Sequence, residues 1–185
     1  MIHNVIKSEP GQGAPVVIEQ VFAEKPGGGR LANQTYDVKQ GTAVYQVTGS
    51  NLFAPIKAFV LVAAVTSEDT TIKIAKGSGV EAGDIITAGK KGVACSAVDH
   101  SEEGYDTVTV TIGAAVAKGT VLYQGKTASA SSAVPVGTPI YVTGNDVPAN
   151  SGDYPVRLIN GANLRKETAP IAAEVAALIP TINLV

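Results

Sequence analysis

Apolar and polar residues alternate along this chain in short runs, and one recurring phrase punctuates them. Val38-Lys39-Gln40-Gly41-Thr42-Ala43-Val44-Tyr45 returns as Val80-Glu81-Ala82-Gly83-Asp84-Ile85-Ile86-Thr87. It returns again as Val116-Ala117-Lys118-Gly119-Thr120-Val121-Leu122-Tyr123 and as Val134-Pro135-Val136-Gly137-Thr138-Pro139-Ile140-Tyr141. The pattern Val-x-x-Gly-[Thr/Asp]-x-apolar reads as a tight turn that feeds a strand, with Gly supplying a backbone angle other residues resist.

From Tyr36 onward strand signals dominate. Thr42–Thr48, Thr70–Ile74 and Thr107–Ile112 alternate, and Lys57–Val65 is a continuous apolar stretch that suits a strand buried on both faces. Ile85–Thr87, Gly92–Val98, Val121–Tyr123, Ile140–Thr143 and Pro155–Ile159 complete the set, and the Ser/Ala segment Thr127–Ala133 reads as an internal loop. Turn signals at this spacing predict a mainly β fold, a sandwich or barrel of many short strands.

The two ends of the chain read differently. Residues 1–35 hold the breakers Gly11-Gln12-Gly13-Ala14-Pro15 and Lys25-Pro26-Gly27-Gly28-Gly29-Arg30 around one possible strand, Val16–Phe22. This Gly/Pro-rich N-terminal arm is either a frayed terminus or a segment that orders against a partner. Residues 36–185 form the β-rich domain. Near its end one short helix is expected over 169–179, capped by Thr168, with Pro170 in its first turn and Pro180 as its stop. Ile171, Val175 and Leu178 fall on one face, with Ile179 beside them. Thr181–Val185 returns to strand and ends on an apolar residue, which suits docking in a sheet or a subunit interface.

Composition narrows the possibilities. Of 185 residues only 16% are charged, and there is no Trp. Low charge with abundant Ala, Val, Thr and Gly suits a surface that other chains cover; the plainer reading is a Thr/Ser-rich β face. The net charge is −2 and no basic run exceeds a pair, so the clustered basic face of a nucleic-acid binder is not expected. The first residues lack the pattern of a signal peptide, and Phe59–Val65 is too short to span a bilayer. Assembly in a cytoplasm is the expectation, with no nucleic-acid or membrane partner. The single Cys95 cannot form an internal disulfide and reads as a small buried hydrophobe.

Candidate chemistry is sparse. Gly77-Ser78-Gly79-Val80-Glu81-Ala82 fits a dinucleotide fingerprint after a predicted strand, but Gly83 and then Ile85-Ile86 follow where a long helix should stand. Asp99-His100-Ser101 carries the letters of a hydrolase triad, yet neighbours in sequence point apart and a triad is defined by geometry. The stretch Asp99–Asp106 reads instead as a solvated hairpin tip, and its carboxylates match no known calcium loop. Two histidines and one cysteine are few for a zinc site. Tyr45, Tyr123 and Tyr141 share the repeated phrase; they suit packing better than a carbohydrate platform. No catalytic, cofactor-binding or metal-binding residue is assigned, and no cofactor is expected.

Three successive stretches carry a resemblance. They are Thr70–Gly77 with Val80-x-x-Gly83-Asp84-Ile85-Ile86, then Ala97–Val110, then Gly113–Leu122. Together with Asn160–Glu167, the short helix and Pro180-Thr181-Ile182, they resemble head fibre and capsid decoration proteins of tailed phages and prophages, particularly those of gut Bacteroidetes. The resemblance covers roughly Ala58–Val185 and rests on turn and strand signals. It implies a non-enzymatic virion structural protein: a homotrimer on the capsid exterior, bound to the major capsid protein and possibly to other virion proteins. Such a subunit cements capsomers or presents a fibre base. On this reading Met1–Thr35 contacts the capsid or a neighbouring subunit, and Ala169–Val185 contributes to the trimer contact. A carbohydrate-binding or adhesion β module is the alternative. An enzyme is the third class, disfavoured by the scarcity of His and Cys.

Overall fold

The computed structural model describes residues 15–185, so the part of the arm at residues 1–14 lies outside the described residues. The fold is mainly β, with fifteen strands and one short helix among the described residues. Its largest sheet holds β1 (Ile18–Glu24), β2 (Gly29–Leu31), β3 (Ala43–Gln46), β4 (Leu52–Pro55), β12 (Tyr141–Thr143), β13 (Tyr154–Val156), β14 (Leu158–Leu164) and β15 (Ile182–Leu184). Between β4 and β12 the chain builds β5 (Ala58–Val60), β6 (Thr71–Ala75), β7 (Ile85–Ala88), β8 (Lys91–Ala94), β9 (Ala97–Asp99), β10 (Tyr105–Thr109) and β11 (Val121–Gly125). These make two small sheets, ordered β5-β11-β7-β8 and β6-β10-β9.

The large sheet curls until it closes. β2 and β13 pair, β1 and β14 pair, and β13 runs into β14 with only Arg157 between them. The pairings β14 to β12, β12 to β3, β3 to β4 and β4 to β2 complete a ring. Leu31, Val38, Val44, Phe53, Val147, Val156 and Leu158 form one buried cluster among these strands. Closure removes free edges within the ring. Strand β1 lies outside it, along the far side of β14.

Within residues 18–31, both β1 and β2 pair into the large sheet. The two halves differ in how they are held. β2 is locked between β4 and β13, with Leu31 fully buried. β1 has one partner strand, and every residue from Glu19 to Glu24 is exposed.

Strand β11 serves two cores because its side chains alternate between faces. Tyr123 and Val121 pack on the cluster containing β14, β15 and the C-terminal segment. Leu122 points the other way, joining Phe59, Leu61, Ile72, Ile74, Ile86, Val108 and Ile112 between the two small sheets. The Thr127–Ala133 segment folds back on this layer: Gly92 and Ser129 exchange backbone hydrogen bonds of 2.8 and 2.9 Å. Thr87 is fully buried between Gly92 and Gly125, where a Cβ on either glycine would press on its hydroxyl.

The repeated phrase is a turn in three of its four copies. Gly41, Gly83 and Gly119 have φ of 85°, 96° and 83°, and the residue after each donates back to the residue two before it. A positive φ at the third position of such a turn is the reason for glycine. Each of these glycines also donates its N–H across to another segment: Gly41 to Thr143, Gly83 to Cys95, Gly119 to Leu61. Gly137 departs from the pattern; its φ is not positive, and it is small because the Tyr45 ring lies where a Cβ would be. A further copy, unread in the sequence, is Val147-Pro148-Ala149-Asn150. Asn150 stands at the glycine position with φ 53° and donates to Gln34, and Val147 bridges Val38.

Other expectations shift in detail. Lys57–Val65 is not a strand buried on both faces. β5 covers Ala58–Val60, Phe59 and Leu61 turn inward, and Ala64 is exposed. Gly92–Val98 splits at the buried Cys95. The helix α1 spans Ala173–Ala176 only, and its N-cap Ala172 makes no side-chain cap. Thr168 does not cap it: its hydroxyl donates to the carbonyl of Val16. Ile171, Val175 and Ile179 are buried as the periodicity predicts, but Leu178 is 51% exposed because the chain has left the helix in tighter turns before it. β15 then pairs in parallel with β14, docking the C-terminal segment in the sheet.

Candidate functional site

The copy of the phrase at Val80 positions the most buried ion pair among the described residues. Asp84 closes its own turn by accepting the Glu81 N–H at 2.9 Å. The same carboxylate meets Lys57 Nζ at 2.8 Å and accepts from Gln124 Nε2 at 3.0 Å. Lys57 directly precedes β5 and Gln124 sits in β11, and the Gln124 N–H donates to the Lys57 carbonyl at 2.9 Å. Asp84 therefore ties the segment by which the chain enters the inserted layers to β11. The Lys57 and Asp84 side chains are only 13% and 11% exposed.

Tyr36 roofs this junction. Its ring packs on Gly79, where a Cβ could not fit, and Lys57 Nζ lies 5.8 Å from the ring centroid. The hydroxyl is buried without a hydrogen-bond partner, and burial, reinforced by the charge of Asp84, pushes its pKa well above the usual phenol value. Cys95 closes the far side. Its Sγ donates to the Glu81 carbonyl at 3.0 Å, and burial raises the thiol pKa. The dinucleotide-like stretch is absorbed here: after Gly79 the chain enters the Asp84 turn and then β7, and Tyr36 occupies the space over Gly79. A carboxylate already engaged by an ammonium and two N–H donors is a structural element of the junction.

The triad letters separate. Asp99 accepts the Ser101 N–H at 2.9 Å, and hydrogen bonds from Ser101 hold its carboxyl below the usual aspartate range. His100 turns instead to Asp106, with Nδ1 2.8 Å from Oδ1. Lys76 Nζ lies 2.7 Å from that oxygen and 2.7 Å from the His100 carbonyl. Asp106 is buried in β10, which corrects its reading as part of a solvated tip; the exposed tip is Asp99–Gly104. The cluster fastens this tip to β6 and β10 through a histidine whose ring is mostly exposed. Among the described residues no three His, Cys, Asp or Glu side chains converge as a metal site would require.

The tyrosines of the phrase do not share a platform. Tyr123 is buried and donates to the Gly89 carbonyl at 2.9 Å, Tyr141 meets Phe53 edge-on at 5.7 Å, and Tyr45 covers Gly137.

Large exposed apolar side chains occur in three segments: on β1, at Val134 and Ile140 between β11 and β12, and beyond the helix. Phe22 and Val21 are 54% and 39% exposed on β1, and Leu178 and Val185 are exposed beyond the helix. β1 and β15 lie on opposite sides of β14, so both segments share one support. The pairing of β1 is bulged at three places, between Ile18 and Gln20, between Val21 and Ala23, and between Ala23 and Glu24. Bulges of this kind twist an edge strand. Two ion pairs of 2.8 Å, Glu19 with Arg165 and Glu24 with Arg157, clamp its ends. Compared with known families, curated proteins and solved structures, the chain matches no family model, no curated protein and no solved structure.

Proposed function

We propose that this chain is a non-enzymatic virion structural protein, a head fibre or decoration subunit attached as a homotrimer to the outer capsid surface. The major capsid protein is its partner, and assembly takes place in the host bacterial cytoplasm. The observation that carries the reading is the distribution of side chains. The carboxylates of Asp84 and Asp106 are consumed in holding turns and strands together. Exposed large apolar side chains sit instead on β1, on the segment between β11 and β12, and beyond the helix; the first and last of these are the parts assigned to assembly contacts. An exposed Phe on an edge strand favours burial against another chain. The sequence resemblance in the phrase-bearing stretches supplies the virion setting.

Two measurements test it. Light scattering of the full chain at micromolar concentration should give a trimer mass, and a monomer mass would sink the assembly reading. Deletion of residues 1–24, which leaves β2 in the ring, should abolish co-sedimentation with capsids; undiminished attachment would remove the arm from the contact.

A further inference from the structure

We infer that β1 is an exchangeable strand: in the assembled protein it pairs with β14 of a second copy of this chain. The inference deepens the homotrimer reading and rests on it.

The geometry separates a strongly held part of the chain from a weakly held one across a short joint. β2 lies inside the ring with Leu31 fully buried. Four residues earlier β1 ends, and the connecting Lys25-Pro26-Gly27-Gly28 places both glycines at positive φ, 75° and 63°. Glycine tolerates that conformation and an extended one alike, so the joint can open without backbone strain at these positions. A short, tightly folded connection of this kind is where strand exchange begins.

What holds β1 in place is portable. Its side chains from Glu19 to Glu24 are exposed, and its apolar anchorage is confined to its start, where half-buried Ile18 and the preceding Val17 pack on the cluster around β14 and the C-terminal segment. Beyond that, β1 is fixed by backbone pairing to β14 and by charge complementarity at its two ends, Glu19 to Arg165 and Glu24 to Arg157. A neighbour's β1 offers β14 the same backbone groups and the same two carboxylates in the same register. Exchange therefore keeps every one of these contacts. It also carries Phe22 into the crossing between two subunits, where its exposed ring can be covered.

Disulfide trapping in the full chain tests this. Gln20 and Asn163 are register partners, so the double variant Gln20→Cys with Asn163→Cys should oxidise across the β1–β14 pair. Glu19→Cys with Arg165→Cys probes the same pair at exposed positions, where folding is not at stake. The parent chain, with only its buried Cys95, is the control. Exchange predicts that oxidised double variants run as covalent trimers on non-reducing gels. It also predicts that co-expressed single variants, one carrying Gln20→Cys and the other Asn163→Cys, cross-link to each other. A disulfide confined within one chain, in a particle that light scattering shows to be trimeric, would overturn the exchange and leave the assembly reading intact. A within-chain disulfide in a monomer would overturn both.

Discussion

The junction around Asp84 and the edge around β1 use the same bond and obtain different things from it. Lys57–Asp84, Arg157–Glu24 and Arg165–Glu19 all close at 2.8 Å. The first pair is almost out of water, at 13% and 11% exposure; Arg157 and Glu24 stand at 56% and 51%. In a buried pair, losing one partner strands the other charge, whereas an exposed charge simply returns to solvent. The junction is therefore a place where one substitution damages the whole fold. The edge is a place where substitutions change attachment and leave the fold standing. Distance alone does not distinguish them; burial does.

The largest test of that contrast is Asp84→Ala. It leaves the Lys57 ammonium buried without its partner and should cost about 3–5 kcal/mol. For a chain of this size the thermal midpoint should then fall on the order of 10 °C, read by calorimetry. Asp84→Asn keeps a side-chain acceptor for the Glu81 N–H but removes the charge as well, so it should lose nearly as much. If Asp84→Asn recovers most of the loss, the charge is not what matters at the junction.

Next in size is Gly79→Ala. It adds a Cβ against the Tyr36 ring at a φ of 67°, and should cost about 2–4 kcal/mol in urea unfolding from overpacking and backbone strain together. Gly83→Ala isolates the strain, since nothing lies within 4 Å of its Cβ position, and should cost about 1–2 kcal/mol. Equal losses would show that the Tyr36 contact contributes nothing.

At the edge, Glu24→Ala and Glu19→Ala should each change unfolding free energy by no more than about 1 kcal/mol. A loss of the size expected at Asp84 would erase the comparison.

The smallest effect is a pH dependence. Asp37 accepts the Ala149 N–H at 3.0 Å and pairs with Lys39, which lowers its pKa from the usual 3.8; Asp99 is lowered by Ser101. A carboxyl whose folded pKa lies below its unfolded value adds stability above the unfolded value and loses it as pH falls through the folded one. Stability should therefore decline below about pH 3.8, and Asp37→Asn should flatten that decline. An unchanged slope in Asp37→Asn would remove Asp37 from the acid response.

Much of this fold was legible because a turn with positive φ demands glycine locally. Gly41, Gly83 and Gly119 announce themselves in the sequence, and each leads to a strand. Gly137 carries the same letters for a different reason, close packing on Tyr45, which no local pattern reports. Asn150 fills the glycine role in other letters, so the fifth turn does not match the phrase. The partner of His100 is equally non-local: its carboxylate, Asp106, lies six residues away in β10, across a hairpin that brings the two together.

By itself the sequence determined the β class, the turns, the alternating strands β6 and β10, and the burial of Ile171, Val175 and Ile179, because these follow from backbone angles and side-chain period within a few residues. Only the tertiary structure decided that the large sheet closes, and that β1 lies outside the ring while β2 lies within it. Those outcomes depend on pairing between residues more than a hundred positions apart, such as Ile18 with Leu164 and Leu31 with Tyr154. A period of two says that a strand will form and which residues share a face; it carries no information about which strand will lie beside it.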